Sequence, residues 1–299
     1  MAETLVLGLF PGQGSQRPGM ARWIEAEPVA RELLRRADDI LGIPLTELCV
    51  SGSAEELRDT RIAQPAILAT SLALLAVLAR RGWRPAAVTG HSLGEFTALA
   101  AAGAIDEESA LRLVHRRGEL MAEVSRQRGG AMSAIVGLAA ARVEELCAEV
   151  QDGVVDIANY NQPTQTVVSG DAAAVDRVAE LAVAAGAAKV VPLKVSGAFH
   201  SRLMAEVADR FGAELDRYPI GTPAMPVLSA VNGDYVRGPA EIRSVLRRQI
   251  VAPVRWVDTV RRAVRDGYGE LVEIGPGQVL TGCSRRIVPE VPSRSIAAV

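Results

Sequence analysis

Aromatic side chains are scarce in this chain. Four Phe, four Tyr and three Trp make up 4% of 299 residues, while hydrophobic residues reach 49%. The core therefore has to be built from Ala, Val and Leu rather than from rings. Lysine is rarer still: Lys189 and Lys194 are the only two, and the remaining positive charge is arginine. That bias reads first as coding preference and only second as recognition chemistry. The formal net charge is −2, without the basic excess of a nucleic-acid or membrane-surface protein. The three cysteines, Cys49, Cys147 and Cys283, are odd in number, far apart and in no CxxC spacing. That pattern argues against a disulfide framework or a metal site and fits a reducing cytoplasm. No uninterrupted apolar run reaches the ~18 residues of a membrane span. The nearest, Leu68 to Leu78, is flanked by Gln64, Arg80 and Arg81 and suits a buried core helix. The first residues, MAETLVLGLF, have no basic segment before a short apolar run, so a first strand is expected there in place of a signal peptide.

The length suits one large domain with a small one inserted. Strand-like runs alternate with helical stretches. Thr4 to Phe10 reads as a buried strand leading into a Gly-rich turn, Pro11-Gly12-Gln13-Gly14. Pro65 to Arg81 reads as a helix with Pro65 in its first turn, Ala86 to Thr89 as a strand, and Ser92 to Ala102 as a small-residue helix. Asp106 is placed to cap a helix running to about Gln127. This order predicts an α/β layered core with a largely parallel sheet. The middle differs. Strands at Ala131 to Gly137, Val154 to Asn159, Gln165 to Ser169 and Ala188 to Val191, with helices at Ala139 to Val150 and Ala172 to Ala185, follow the β-α-β-β-α-β order of ferredoxin-like folds. A turn is expected at Asn161-Gln162-Pro163. The inserted subdomain is placed at 129–194, with the large unit formed by 1–128 and 195–299. That large unit resumes with a helix from Ser201 to Tyr218, a strand at Met225 to Leu228, helices near 239–250 and 255–266, and a last strand at Leu271 to Ile274.

Gly90-His91-Ser92-Leu93-Gly94 matches the G-x-S-x-G nucleophile elbow and has the strand before it and the helix after it that the turn requires. Alone the pattern is weak in a chain this rich in glycine. The flanking glycines leave room where a Cβ would strike neighbouring backbone, and the Ser92 hydroxyl is lifted onto a helix N-terminus. A serine nucleophile needs a base. His91 lies inside the elbow and should point away from Ser92. His115 sits in a helix beside Arg116 and Arg117 and reads as an ordinary helix histidine. His200, in the small-residue loop Val195-Ser196-Gly197-Ala198-Phe199-His200-Ser201, is left as the best base by elimination. No histidine follows it, and no HGGG-type loop is present, so the usual esterase pattern does not apply.

Five segments occur in order: Phe10-Pro11-Gly12-Gln13-Gly14-Ser15-Gln16, Gly90-His91-Ser92-Leu93-Gly94-Glu95, Arg117-Gly118, Gly197-Ala198-Phe199-His200-Ser201 and Glu273-Ile274-Gly275-Pro276-Gly277. Together they resemble the malonyl-CoA:acyl carrier protein transacylases over nearly the whole chain. The resemblance implies a hydrolase-like core, a ferredoxin-like insert and an active site in the cleft between them. It implies Ser92 as nucleophile and His200 as base, oriented by a backbone carbonyl near Gln249 in place of a carboxylate. The backbone N–H groups of Gln13 and Leu93 would form the oxyanion hole, where each fixed donor is worth roughly 3 to 4 kcal/mol. Arg117 would pair two-pronged with the free carboxylate of malonyl, which guanidinium geometry suits and lysine does not. Arg116 is the rival one register away, and a solvated helix arginine is the plain alternative. Phe199 would crowd a methyl branch, or simply pack the loop; Leu93 points the same way. Asn159 matches an active-site asparagine of the family or forms a turn. Gln64 lines the cleft or caps the long helix. His91 is a supporting residue in this reading. Gly275-Pro276-Gly277 holds a turn, and Gln278 stands where relatives carry lysine.

The implied reaction moves malonyl from malonyl-CoA to the phosphopantetheine thiol of an acyl carrier protein, with no metal, no bound cofactor and a monomeric enzyme. The acidic carrier protein would meet Arg285, Arg286 and the insert lysines. A discrete polyketide acyltransferase with another or broader extender unit, an editing acyl hydrolase and an inactive docking module are the competing readings.

Overall fold

The computed structural model describes residues 4–195 and 197–298. Met1–Glu3 of the expected first segment and Ser196 of the loop before His200 lie outside them. Among the described residues, ten strands fall into two sheets. β1 (Leu5–Phe10), β2 (Ala87–Gly90), β7 (Val227–Ser229), β8 (Asp234–Val236), β9 (Tyr268–Ile274) and β10 (Ser293–Ile296) form one, in the order β10-β9-β1-β2-β7-β8. Every pairing in it is parallel except the antiparallel edge pair β7–β8. The expected α/β core is therefore the observed one. β1 and β2 are central and buried, as their Leu, Val and Ala runs require in a sheet covered on both faces.

The second sheet is built from β3 (Ala131–Val136), β4 (Val155–Gln162), β5 (Gln165–Gly170) and β6 (Lys189–Pro192), in the antiparallel order β4-β5-β3-β6. Helices Ala140–Glu149 and Ala172–Ala184 complete the β-α-β-β-α-β order and bury Val143, Leu146, Val175 and Val178 against it. This is the ferredoxin-like unit read from the turn and hydrophobic pattern.

Several local expectations are corrected. The long helix is Thr60–Arg80, not Pro65 to Arg81. Asp59 caps it by accepting from the Arg61 N–H at 2.9 Å, so Pro65 lies inside the helix and Gln64 caps nothing. The proline removes only the ladder bond to the Arg61 carbonyl, close to the helix start. Fifteen of the 21 residues, among them Gln64, Pro65, Ile67 and Leu74, are buried. The helix is long and apolar enough to cross a bilayer, but 78% of its most apolar stretch is buried inside the protein; it is a core helix.

The helix after the elbow starts at Gly94, not Ser92, because Ser92 has φ +52° and cannot be helical. β4 runs through Gln162, so the turn tightens to Pro163–Thr164, with Gln162 paired to Gln165. Asn159 sits in β4 at a register shift and bridges to Val254; it forms no turn. Ser201 to Tyr218 divides into a 3-10 turn, Arg202–Met204, and a helix, Ala205–Leu215. The strand at Leu271 to Ile274 is not the last, since β10 follows it. The sequence pattern also missed β8 and the helices Pro28–Leu41, Leu45–Ser51 and Val279–Ile287.

Candidate active site

Two loops and a turn meet at the C-terminal ends of β1 and β2, where ligands gather in parallel α/β sheets. A Cβ on Gly90 would collide with the backbone of Gly94, and one on Gly94 with the Phe10 carbonyl. On Gly12 it would lie 2.5 Å from the His91 carbonyl oxygen. Glycine at all three positions lets the Pro11–Gly14 turn dock on the elbow. Gln13 and Leu93 are thereby neighbours of Ser92, and among the described residues neither of their backbone N–H groups donates to another protein group. The Gln13 side chain points elsewhere, donating to Thr60 Oγ1 at 3.1 Å.

Ser92 and His200 are the two non-glycine residues with positive φ among those described, at +52° and +59°. Such conformations cost on the order of 1 to 3 kcal/mol each and persist where surrounding structure imposes them. Here they aim two side chains at each other. The Ser92 hydroxyl is 2.8 Å from His200 Nε2. His200 Nδ1 donates to the carbonyl oxygens of Gln249 at 2.9 Å and Ala252 at 3.0 Å. Two carbonyl acceptors fix the tautomer with hydrogen on Nδ1 and leave the Nε2 lone pair for the serine proton. Burial, and then the positive charge of Arg117, push the imidazole down to about 3; it stands neutral and able to accept a proton.

Arg117 is 1% exposed. Its helix, Glu107–Arg128, comes close to the Thr60–Arg80 helix because residue 118 is glycine; a Cβ there would lie 2.7 Å from the Thr60 carbonyl oxygen. Nη1 donates to Gln64 Oε1 at 2.8 Å, and Nη2 donates to Ser92 Oγ at 3.0 Å and Gln249 Oε1 at 3.1 Å. These acceptors are neutral, so the guanidinium meets no carboxylate in them. Burial lowers it to about 10, and it remains a cation at neutral pH. Arg116, one register away, pairs with Glu119 on the helix surface at 2.9 Å.

Gln249 joins these groups. Its Nε2 donates to the Ser92 carbonyl at 3.0 Å and to Glu95 Oε2 at 2.5 Å, while its backbone carbonyl holds His200. Glu95 is 1% exposed, and burial raises its carboxyl to about 7. The sequence reading passed over this residue. The signal available was a carboxylate as the single charged side chain of a short helix that is apolar but for Thr97, a position that demands a polar partner.

A cleft of about 500 Å³ opens over Ser92, His200 and Arg117. Phe199, Met121, Met132, Ala134 and Val167 form its apolar wall, and Asn159 and His91 line it too. The small sheet contributes to the lining through β3, β4 and β5, and the loops that follow β1 and β2 contribute on the other side. His91 turns away from Ser92 and contacts Asn161 Oδ1 through Nε2 at 2.9 Å. Gln64 lies behind Arg117, fully buried, with its Nε2 on the Met121 sulfur at 3.4 Å. All ten residues singled out from the sequence thus fall in or directly behind one cleft. The Glu273-to-Gly277 segment is elsewhere in role. Glu273 accepts from the N–H groups of Leu280 at 3.1 Å and Thr281 at 2.8 Å, tying down the helix Val279–Ile287.

A hydroxyl facing a neutral imidazole, beside two free N–H donors and a buried cation, can take an acyl group and release it to a second nucleophile. The acyl transferase domain family matches residues 9–297. A malonyl CoA-acyl carrier protein transacylase of Haemophilus influenzae is 40% identical over 292 residues, covering 96% of this chain and 94% of its own. The polyketide biosynthesis protein ThaF of Burkholderia thailandensis is 44% identical over 293 residues, 97% of this chain but 25% of that protein. In a solved complex of a type II PKS acyl-carrier protein with its malonyl-transacylase, the matching chain superposes with TM-score 0.96 at 40% identity, covering 99% of this chain and 97% of its own. The chain is an enzyme of the acyl transferase domain family.

Proposed function

We propose that this acyltransferase moves malonyl from malonyl-CoA to the phosphopantetheine thiol of an acyl carrier protein through a malonyl ester on Ser92. One observation carries the reading: the Ser92 hydroxyl lies 2.8 Å from an imidazole and 3.0 Å from a buried guanidinium. The base serves acyl transfer in general; the cation suits an acyl group that ends in a carboxylate. Transfer follows in two half-reactions. The substrate carboxylate pairs with Arg117. His200 takes the Ser92 proton as the oxygen attacks the thioester, the oxyanion forms against the Gln13 and Leu93 N–H groups, and CoA leaves as the thiol. The carrier thiol then attacks the ester with His200 as base again. Burial depresses His200 most, and pairing of Arg117 with the carboxylate relieves the part that the Arg117 charge adds, so the correct substrate makes the base somewhat stronger.

The remaining assignments follow from the same geometry. Phe199, on the cleft wall, crowds a branched acyl chain, whereas the Leu93 side chain is wholly buried off that wall and Leu93 contributes its N–H alone. Asn159 and Gln64 shape and support the pocket, Gln249 orients Arg117 and His200, and His91 braces β4 through Asn161. Residues 1–128 and 195–299 act as the catalytic unit and 129–194 as the small unit closing the cleft. Lys194 and Arg58, exposed at its mouth, suit an acidic carrier protein in a cytoplasmic pathway. Arg285 suits it less, being held by the Ser293 carbonyl at 2.9 Å.

An editing hydrolase would have no use for Arg117, and a docking module none for the Ser92–His200 pair. The test mixes enzyme, labelled malonyl-CoA and holo carrier protein. Label on the carrier thiol is expected. Release of free malonate in its place would establish a hydrolase, and no turnover a docking module. Running fatty-acid and polyketide carrier proteins side by side identifies the pathway.

A further inference from the structure

Arg117 is a buried cation whose three acceptors, Gln64, Ser92 and Gln249, are neutral. A buried charge without a counter-charge is costly, yet a carboxylate directly on the guanidinium would occupy the place the substrate needs. We propose that Glu95, acting through the Gln249 amide, is the internal counter-charge of Arg117 and surrenders that role by taking a proton when the acyl carboxylate pairs with the guanidinium. This rests on the malonyl reading above. Glu95 does not touch substrate; it is a positioning residue.

Gln249 Nε2 spends its hydrogens on Glu95 Oε2 and the Ser92 carbonyl, which leaves Gln249 Oε1 for Arg117 Nη2. The reversed amide would set a donor against the guanidinium and an acceptor against two acceptors, so the network admits one orientation. The negative charge of Glu95 is thus relayed one side chain away, and the face of Arg117 toward the cleft stays free. The other carboxyl oxygen, Glu95 Oε1, is buried and has no hydrogen-bond partner among the described residues, although the Ser229 hydroxyl faces the same carboxyl. It is the atom able to receive a proton.

The charged groups that face Glu95 are Arg117, from the Glu107–Arg128 helix, and Arg248, at the end of the Pro239–Arg248 helix. The strands packed on its helix, β1, β2 and β7, carry no ionisable side chain, and the Thr60–Arg80 helix carries only Arg61 and Arg80, both exposed. Burial already brings the carboxyl to about 7 against the pull of the Ser229 and Gln249 side chains and then of the Arg117 charge. Neutralising Arg117 with a substrate carboxylate removes that hold and raises it further, and solvent supplies the proton. Acetyl-CoA, which brings no charge, leaves Glu95 as it was.

The experiment compares kcat/KM for acylation by malonyl-CoA and acetyl-CoA between pH 6 and 9, in the wild type and in Glu95→Gln. Because kcat/KM reports ionisations of the free enzyme, the titration of His200 there enters both rates alike and cancels in their ratio. In the wild type the malonyl/acetyl ratio is expected to fall with rising pH by up to about tenfold per unit above the Glu95 titration, as one proton requires. In Glu95→Gln it should be flat and, at pH 9, higher than in the wild type. A wild-type ratio that does not vary with pH, or the same slope in both proteins, overturns the proposal. A measurement on the wild type alone guards against a variant that fails to fold. In weak buffer with a pH indicator at pH 8, mixing with malonyl-CoA should take up to one proton per active site more than mixing with acetyl-CoA. Equal uptake overturns the proposal. If malonyl-CoA fails to acylate the enzyme at any pH, the substrate reading falls instead.

Discussion

Replacing Arg117 by alanine separates recognition of the acyl carboxylate from the chemistry of acyl transfer. The guanidinium is 1% exposed and reaches Ser92 Oγ at 3.0 Å, so a carboxylate paired with it leaves most of its water behind. Removing one partner of a buried ion pair costs about 3 to 5 kcal/mol, equivalent to roughly two to four decades in rate at about 1.4 kcal/mol per decade. Water admitted to the vacated space recovers part of that, which favours the lower half, a loss of about 10²- to 10³-fold in kcat/KM for malonyl-CoA. Acetyl-CoA has no carboxylate to lose. Its rate should change less than about tenfold, an effect of lost packing and of the freed Gln64 and Gln249 acceptors. The malonyl/acetyl ratio, taken from single-turnover acylation of the same protein, therefore drops by about two decades even if the variant is less stable. Arg117→Lys should restore little, because a point charge cannot make the planar two-pronged pair. An unchanged ratio in Arg117→Ala would remove this residue from substrate recognition.

Other outcomes are equally specific. Phe199→Ala should raise acylation by methylmalonyl-CoA relative to malonyl-CoA by about 10- to 200-fold, the scale set by one methyl group; competition between the two thioesters measures it. Gly90→Ala should yield protein that is insoluble or destabilised by more than about 4 kcal/mol, since its Cβ would collide with the Gly94 backbone, and circular dichroism in denaturant reads the loss. Folding stability should fall as pH drops below about 6.5, the unfolded value for histidine, toward about 3, the folded value of His200. In that window the unfolded chain binds a proton that the native one refuses, so the slope of stability with pH is positive. Denaturant titrations should show a shallower slope in His200→Gln.

How much of this was legible in the sequence depends on how local the cause is. The elbow glycines, the Asp106 cap and the strands of the small sheet follow from neighbours in the chain, and the structure has them where the pattern puts them, except that β4 runs on to Gln162 through the expected turn. Elements whose existence depends on distant partners were lost. β10 is a short polar edge strand that forms only because β9 offers it a parallel ladder. The helix start was misplaced because Pro65 was read as a terminus, whereas Asp59 had already supplied the cap. In the site, Ser92 and His200 were found by motif and elimination and Arg117 only through the family resemblance, but Glu95 was not found. Its importance lies in Gln249, 154 positions away, and no spacing along the chain reports a contact made only by the fold.

The most direct test of the central claim is mass spectrometry of the intact enzyme after brief exposure to malonyl-CoA, followed by peptide mapping. One malonyl group on the peptide bearing Ser92, lost on adding holo carrier protein and absent in Ser92→Ala, is the predicted result. An adduct that persists in Ser92→Ala, or carrier protein malonylated at full rate by that variant, would contradict the account.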